Sequence, residues 1–201
     1  MFKQKVVAFD LFGTLVEMPV QHHPYRKAIA ALKLDSEAIR RKAMTTSLSF
    51  ADLFYGLPAE ECVCLEKLLK EELSSIRPYP EVMDVLEKLV GKGYRLCVIS
   101  NLAAPYVAAM DRLPRHLFEA EVMSCEVGAI KPESAIFKKA AQQMGVPLKS
   151  LLMVGDRLEN DVAGALNARV GEALWLNRDR RPGSVPSIEA LDELVPLLLK
   201  N

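Results

Sequence analysis

The chain has no excess of charge of either sign, since its 26 Lys and Arg residues balance 26 Asp and Glu residues. Nucleic-acid-binding proteins and membrane-surface proteins need clustered positive charge, so the balance argues against both kinds of partner. No apolar run approaches the roughly 20 residues that a membrane-spanning helix needs. The amino terminus also lacks the charged, apolar and small-residue order of a signal peptide.

Cysteine is scarce as well, with four residues and no C-x-x-C spacing. Cys97 lies inside an apolar strand pattern, which predicts a buried thiol rather than a metal ligand. These features fit a reducing compartment, and we expect a cytoplasmic protein. With 201 residues, half of them hydrophobic, the chain can form one good-sized domain or a core domain with a small second one.

The most informative stretch is the apolar run from Val6 to Phe9, which ends at the carboxylate of Asp10. An unbroken run of this length predicts a strand that is buried on both faces. In an open parallel sheet, ligands bind beyond the carboxyl ends of the strands. Asp10 at that edge can attack a substrate or hold a cation. Gly13 lets the backbone turn away, and the Thr14 hydroxyl can bind an anion.

The segment from residue 20 to about 77 places apolar residues at helical spacing and shows no strand pattern. Ser49 and Pro58 predict two helix starts within it. Three or four short helices bury little surface by themselves. We therefore expect residues 17–77 to form a helical cap that packs on a core made of residues 1–16 and 78–201.

The rest of the chain alternates helices with strands, which predicts an α/β fold with a parallel sheet and right-handed crossovers. We predict helices at 81–90, 103–113, 133–144, 161–167 and 188–199, and strands at 94–99, 120–125, 151–154 and 173–176. Polar residues follow several of these strands, namely Ser100, Asn101, Lys131, Asp156 and Asp161.

Because parallel strand ends share one edge of a sheet, Asp10, Asp156 and Asp161 are expected to lie together. Like charges at such range repel strongly unless cations compensate them. Mg²⁺ held by two carboxylates, a carbonyl and waters would do so, with Lys131 as a fixed counter-charge. The same cations would attract phosphate, and the Ser100 hydroxyl and backbone amides can bond its oxygens.

The motifs FDLFGTL, VISN, Lys131-Pro132 and VGDRLENDVAGA, in this order, resemble the haloacid dehalogenase-like hydrolase superfamily. The resemblance covers nearly the whole chain, and the helical insert is similar to that superfamily's small helical cap. It implies a Rossmann-like sheet of about five parallel strands with helices on both faces.

The resemblance also implies roles for the residues that match its motifs. Asp10 resembles the nucleophile that forms a covalent aspartyl intermediate. Thr14, Ser100 and Asn101 resemble the residues that hold the transferred group. Lys131 resembles the lysine that neutralises the charges of the nucleophile and the substrate.

A Mg²⁺ site is implied by the same resemblance. Asp156 resembles a ligand of the ion, beside Asp10 and the Phe12 carbonyl. Asp161 resembles the carboxylate that supports the metal and the lysine.

Phe12 departs from the phosphatase pattern, in which a second Asp usually follows the nucleophile by two residues as general acid and base. Such a group is typically worth about 10² to 10⁴ in rate. An aromatic residue here resembles the 2-haloacid dehalogenases, whose halide leaving group needs no proton. Glu17 and Glu159 are candidates for a substitute acid.

The fourth motif points back to phosphate chemistry. Dehalogenases of this group need no metal and tend to have Ser and Asn where this chain has Asp156 and Leu158. Without a cation, Asp156 beside Asp10 would be a costly pair. Arg40 or Arg41 is either a solvated helix residue or an equivalent of the dehalogenases' cap arginine.

The sequence therefore favours a Mg²⁺-dependent phosphatase that acts on a small phosphorylated metabolite through a phosphorylated Asp10, with slow turnover because of Phe12. One alternative is a metal-independent 2-haloacid dehalogenase. Another is a non-catalytic phosphate-binding or regulatory module. The identity of the substrate and the oligomeric state stay open.

Overall fold

A computed structural model describes residues 6–199, which form eight strands and nine α-helices. The strands are β1 (Val6–Phe9), β2 (Val16–Glu17), β3 (Arg77–Pro78), β4 (Arg95–Ser100), β5 (Phe118–Met123), β6 (Leu151–Gly155), β7 (Glu172–Leu176) and β8 (Ser187–Ile188). The helices are α1 (Pro24–Ala31), α2 (Ser36–Thr45), α3 (Phe50–Leu53), α4 (Ala59–Ser75), α5 (Val82–Gly91), α6 (Ser124–Val127), α7 (Ser134–Met144), α8 (Gly164–Asn167) and α9 (Leu194–Leu199). In this part of the chain, no helix is both long and apolar enough to cross a membrane.

Six of the strands form one parallel sheet in the order β5-β4-β1-β6-β7-β8. This confirms the predicted α/β fold, and the count exceeds the expected five by the two-residue strand β8. β1 lies at the centre, between β4 and β6. The Asp10 amide extends the pairing with β6 by donating to the Val154 carbonyl at 2.9 Å. The first residue after β1 is thereby fixed at the middle of the sheet's carboxyl edge.

Apolar layers cover both faces of the sheet, because successive side chains of a strand point to opposite sides. Val7 and Phe9 of β1 pack in a cluster that also contains buried residues of α5 and α9. Val6 and Ala8 pack in a second cluster with buried residues of α7 and α8. Burial on both sides explains why the first strand is apolar throughout.

The four helices α1 to α4 lie between β2 and β3, which pair with each other in an antiparallel ribbon. They have an apolar cluster of their own that includes Phe50, Leu53, Leu65 and Leu69. The two predicted helix starts are confirmed, since Ser49 caps α3 and Pro58 is the N-cap residue of α4. The ribbon joins this helical segment to the sheet at Val16–Glu17 and Arg77–Pro78.

Three of the predicted helices differ from the structure in helix type or in where they begin. The segment Ala104–Arg112 is a 3₁₀-helix that carries a proline in its first turn. The predicted helix at 161–167 begins earlier, as a π-helical turn over Leu158–Ala163 that continues into α8. The last predicted helix was wrong at its start, because residues 187 and 188 pair with β7 and the α-helix begins only at Leu194.

Candidate active site

The carboxyl ends of β1, β4 and β6 bring the predicted residues to one edge of the sheet. Asp10, Ser100, Lys131, Asp156 and Asp161 all line a cavity of about 630 Å³ at this edge. Each of the three aspartates offers a carboxylate oxygen within 4.8 Å of the other two. The structure thus places in one pocket the groups that follow different strands in the sequence.

Lys131 lies between two of these carboxylates and is almost completely buried. Its Nζ atom donates hydrogen bonds of 2.6 Å to Asp10 Oδ1 and to Asp161 Oδ1. Burial disfavours a charged amine, but the two carboxylates outweigh it and raise the pKa of Lys131. The ammonium ion therefore stays protonated and acts as a fixed positive charge between the two aspartates.

Asp10 is a buried carboxylate on which burial and several neighbouring charges act together. Burial raises the pKa of Asp10 above its usual value, Lys131 lowers it, and the negative charges of Asp161 and Asp156 raise it again. The ion pair with Lys131 keeps one oxygen engaged at 2.6 Å. A second source of positive charge would favour the ionised carboxylate, which is the form that a nucleophile or a metal ligand needs.

Asp161 is fully buried and has both oxygens occupied. Oδ1 accepts the hydrogen bond from Lys131, and Oδ2 accepts one of 2.9 Å from the Arg157 backbone amide. The π-helical turn that begins at Leu158 carries Asp161 into this position. With its lone pairs already directed at the lysine and the loop, Asp161 holds other groups of the site in place.

Asp156 differs from the other two aspartates, because its Oδ1 atom is buried and has no hydrogen-bond partner among the described residues. Burial, followed by the charge of Asp161, raises the pKa of Asp156. Arg157 lies 3.4 Å from the other oxygen, but its side chain is 69% exposed and water screens its charge. An unpaired buried carboxylate oxygen is costly unless it is protonated or meets a cation.

A glycine makes room for this carboxylate. At Gly13 the backbone has φ +84°, and a Cβ atom there would lie 2.7 Å from Asp156 Oδ2. On its other side, the Asp156 carbonyl accepts hydrogen bonds of 3.0 Å from Trp175 Nε1 and from Arg181 Nη2. The Asp156 residue is thus held by its backbone while one side-chain oxygen stays free.

The residues expected to hold a transferred group are placed differently from one another. Ser100 is buried and lines the cavity beside Asp10. The Thr14 hydroxyl is enclosed and has no hydrogen-bond partner among the described residues. Asn101 instead forms two hydrogen bonds with the backbone of Lys131, donating to its carbonyl at 2.8 Å and accepting from its amide at 2.7 Å. The Asn101 side chain therefore fixes the lysine loop.

Phe12 lines the same cavity, and its ring meets the Tyr106 ring edge to face at 6.0 Å. The candidate substitute acids lie elsewhere. Glu17 is paired with Arg77 at 2.7 Å, and Glu159 is exposed. Neither lines the cavity that contains Asp10.

The two arginines considered in the helical segment have different surroundings. Arg41 forms an ion pair of 2.7 Å with Glu133. Arg40 lines the cavity that contains Asp10. Of the two, only Arg40 is positioned to meet a ligand there.

No sequence motif singled out Arg178 as a functional residue. It lies in the loop that connects β7 to β8. Its guanidinium donates to the Thr14 carbonyl at 3.0 Å and to the Gly13 carbonyl at 3.3 Å. It also pairs with Glu81 at 2.7 Å and lies 3.8 Å from the centre of the Tyr79 ring. The side chain thus ties the loop after Asp10 to the segment that follows β3.

Glu72 was also missed. It is a buried carboxylate of α4 that accepts a 2.6 Å hydrogen bond from the His23 amide and one of 2.7 Å from the Tyr106 hydroxyl. The second bond joins the helical segment to the 3₁₀-helix after β4. A signal was present in the sequence, since Glu72 follows Leu65 and Leu69 on the buried face of α4.

Comparisons with known proteins agree with this geometry. A 28% identical relative is (S)-2-haloacid dehalogenase 2 of Pseudomonas sp. (strain CBS-3), and the match covers 96% of this chain and 94% of the relative. A glyceraldehyde 3-phosphate phosphatase of Methanothermobacter thermautotrophicus is 38% identical over 49% of this chain and 45% of its own length. The chain thus spans only about half of that phosphatase.

The solved structure of a HAD phosphatase from Thermococcus onnurineus is 26% identical, with a TM-score of 0.67 and 98% coverage of both chains. The family model of haloacid dehalogenase-like hydrolases matches residues 4–169. These residues include the four motifs and the strands that carry the acidic pocket. The chain belongs to the haloacid dehalogenase-like hydrolase family.

Proposed function

We propose that the chain is a Mg²⁺-dependent phosphatase that acts on a small phosphorylated metabolite, with Asp10 as the nucleophile. The observation that carries the proposal is the buried, unpartnered Oδ1 atom of Asp156 next to Asp10 and Asp161. Among the described residues, the pocket has three carboxylates but one buried ammonium group, that of Lys131, which pairs with Asp10 and Asp161. A divalent cation would relieve the repulsion, and carboxylate oxygens are ligands that Mg²⁺ prefers.

Asp10, Asp156 and the Phe12 carbonyl would hold the ion, and Asp161 and Lys131 would support them. Bound Mg²⁺ supplies positive charge that stabilises the oxygens of a transferring phosphoryl group. Asp10 attacks the phosphorus, the bond from phosphorus to the ester oxygen breaks, and water then hydrolyses the aspartyl phosphate. Lys131 holds one oxygen of Asp10 by a hydrogen bond and so fixes the orientation of the attacking carboxylate.

In this proposal, Ser100, which lines the pocket, binds the phosphoryl oxygens and Asn101 acts by positioning Lys131. Thr14, which was also expected to hold the transferred group, is fully buried and does not line the pocket. Residues 17–77 form a cap that closes the pocket from the side of Arg40. The phosphatase relative and the HAD phosphatase structure support a phosphorylated substrate. The cavity of about 630 Å³ is of the size that a small metabolite requires.

The test is hydrolysis of p-nitrophenyl phosphate with Mg²⁺ or with excess chelator, by the native chain and by Asp10→Asn. We expect activity that needs both the ion and the aspartate. Activity that survives chelation, or that survives in the Asp10→Asn variant, would contradict the proposal.

Phe12 leads to a second expectation, because no acid follows the nucleophile by two residues. Phe12→Asp should raise the rate on alkyl phosphates by about 10² to 10⁴. Phe12→Asn is the matched control, since it has the same shape as Asp but cannot donate a carboxylic proton. An equal gain in both variants would refute the assignment of the missing acid.

A second candidate function, 2-haloacid dehalogenase, has its own support. The relative from Pseudomonas sp. matches over nearly the full length of both chains, and an aromatic residue follows the nucleophile by two positions. Arg40 also faces the pocket. Chloride released from 2-chloropropionate in excess chelator would establish this function, and the absence of chloride together with Mg²⁺-dependent phosphate release would exclude it.

A further inference from the structure

A second cavity, of about 360 Å³, lies between the helical segment and the sheet domain. It shares Arg40 and Met44 as lining residues with the cavity that contains Asp10. The two spaces are therefore neighbours.

The walls of this second cavity are mainly apolar and aromatic. Tyr25, Ile29, Ile39, Ala43 and Tyr106 all line it. Tyr106 touches Phe12 on one side and Tyr25 on the other, with ring centres 6.0 and 6.1 Å apart. A row of three rings thus leads from the nucleophile loop into the helical segment.

The polar residues that line this cavity are Gln21, His23, Arg26, Arg40 and Glu72, and they are fewer than the apolar and aromatic ones. Glu72 lines it, but its two oxygens already accept from the His23 amide and the Tyr106 hydroxyl. The Tyr25 hydroxyl is buried and has no partner among the described residues. Because apolar and aromatic side chains make up most of the wall, an aromatic ring placed here would bury its surface against them.

We propose that this cavity binds the aromatic ring of an aryl phosphate monoester whose phosphate lies at Asp10. The inference rests on the proposed function and names its substrate class. An apolar cavity of about 150 Å³ is enough to hold benzene, so the cavity of about 360 Å³ accepts a substituted ring. Edge-to-face and offset contacts with Tyr25 and Tyr106 would add to the burial of the ring.

The same class of substrate agrees with the lack of an acid at Phe12. When the Asp10 carboxylate oxygen bonds to phosphorus, the bond from phosphorus to the aryl oxygen breaks and its electron pair remains on a phenolate. A phenolate spreads its charge over the ring and leaves without a proton, which it takes later from water. An alkoxide has no such stabilisation and depends on a general acid.

Calorimetric titration with two phosphonates in the presence of Mg²⁺ tests the inference without depending on turnover. Benzylphosphonate carries a ring and methylphosphonate does not, and neither can be hydrolysed. We expect the native chain to bind benzylphosphonate at least tenfold more tightly, since burial of a ring is worth about 1.5–3 kcal/mol and 1.4 kcal/mol is tenfold in affinity.

The variant Ala43→Leu places extra atoms in the cavity and should remove most of this preference, while affinity for methylphosphonate stays unchanged. Ala38→Leu is the matched control, because Ala38 is an exposed residue of the same helix. If Ala43→Leu does not fold, Tyr25→Phe is the alternative variant, because it keeps the aromatic ring and removes only the hydroxyl group. It should retain the preference for benzylphosphonate and weaken the binding of a 4-hydroxybenzyl analogue that can bond to the Tyr25 hydroxyl.

Equal affinity of the native chain for the two phosphonates would overturn the inference and leave the proposed function intact. The same holds if Ala43→Leu and Ala38→Leu keep the same preference as the native chain. Binding of neither phosphonate would count against the phosphate site itself, and hence against both proposals.

Discussion

Replacing Arg178 by alanine should weaken both the fold and the activity, although this residue lies outside the acidic pocket. Its guanidinium contacts the carbonyls of Gly13 and Thr14, the Glu81 carboxylate and the Tyr79 ring. The Gly13 and Thr14 carbonyls belong to the loop that follows the proposed nucleophile. The substitution therefore removes a tie from the segment that sets the position of Asp10.

The size of the effect follows from the contacts. A hydrogen bond from a charged donor contributes about 1.5–3 kcal/mol, and a partly desolvated cation–π contact about 1–2 kcal/mol. The contributions share one side chain and do not add fully, so we expect Arg178→Ala to lower the free energy of unfolding by about 2–4 kcal/mol. For a chain of this length, this corresponds to a fall of about 5–15 °C in the melting temperature.

The variant Arg178→Lys tests the geometry, because lysine keeps the charge opposite Glu81 but loses the planar fork and the stacking on Tyr79. We expect it to lie between the native chain and Arg178→Ala in stability. Arg180→Ala is the matched control from the same loop. Its ion pair with Glu189 is largely exposed, with 76% and 52% of the two side chains accessible, and such pairs contribute at most about 1 kcal/mol.

Thermal unfolding and steady-state hydrolysis of p-nitrophenyl phosphate are the assays. A displaced nucleophile loop should lower kcat by about 10- to 100-fold in Arg178→Ala, because small misplacements of reacting groups are costly. Equal melting temperatures and equal kcat values for Arg178→Ala and Arg180→Ala would refute the reasoning.

Two further predictions concern contacts inside the site. Gly13→Ala should lower Mg²⁺ affinity by about 10- to 100-fold because the new Cβ meets the Asp156 carboxylate. Gly93→Ala is the matched control, since its φ of +83° is close to that of Gly13 but a Cβ atom there would meet nothing within 4 Å, so calorimetry with Mg²⁺ should show no change. Asn101→Ala should cost about 2–3 kcal/mol in urea unfolding because both hydrogen bonds to the Lys131 backbone are lost. Asn101→Asp keeps the acceptor and should lose less, and equal losses would contradict this assignment.

The elements of the fold that the sequence predicted are those with a repeating pattern. β1 is apolar at every position because Val7 and Phe9 face one helical layer while Val6 and Ala8 face the other. β8 was missed because two residues are too few to show an alternation, and only their pairing with Trp175 and Leu176 makes them a strand.

The site was predictable for a topological reason. Residues that follow parallel strands share one edge, so Asp10 and Asp156 could be placed together from their positions in the chain. The roles of Asn101 and Arg178 were not accessible in this way. Their partners lie 30 and 164 residues away, and no local pattern encodes which remote carbonyl a side chain will reach.

Two features of the pocket restrict the substrate in different ways. Asp156 is the third carboxylate of the pocket, and the repulsion among the three negative charges favours the binding of a cation. A bound cation would in turn attract an anionic group such as phosphate. Phe12 removes the acid on which most phosphate esters depend when their alcohol leaves. A metal-independent dehalogenase would satisfy the second restriction and leave Asp156 unexplained. Under the proposed function an aryl phosphate would satisfy both, because its phosphate would be drawn to the cation and its phenolate would depart unprotonated. The mainly apolar cavity lined by Tyr25 and Tyr106 is the place that we propose for the ring of such a substrate.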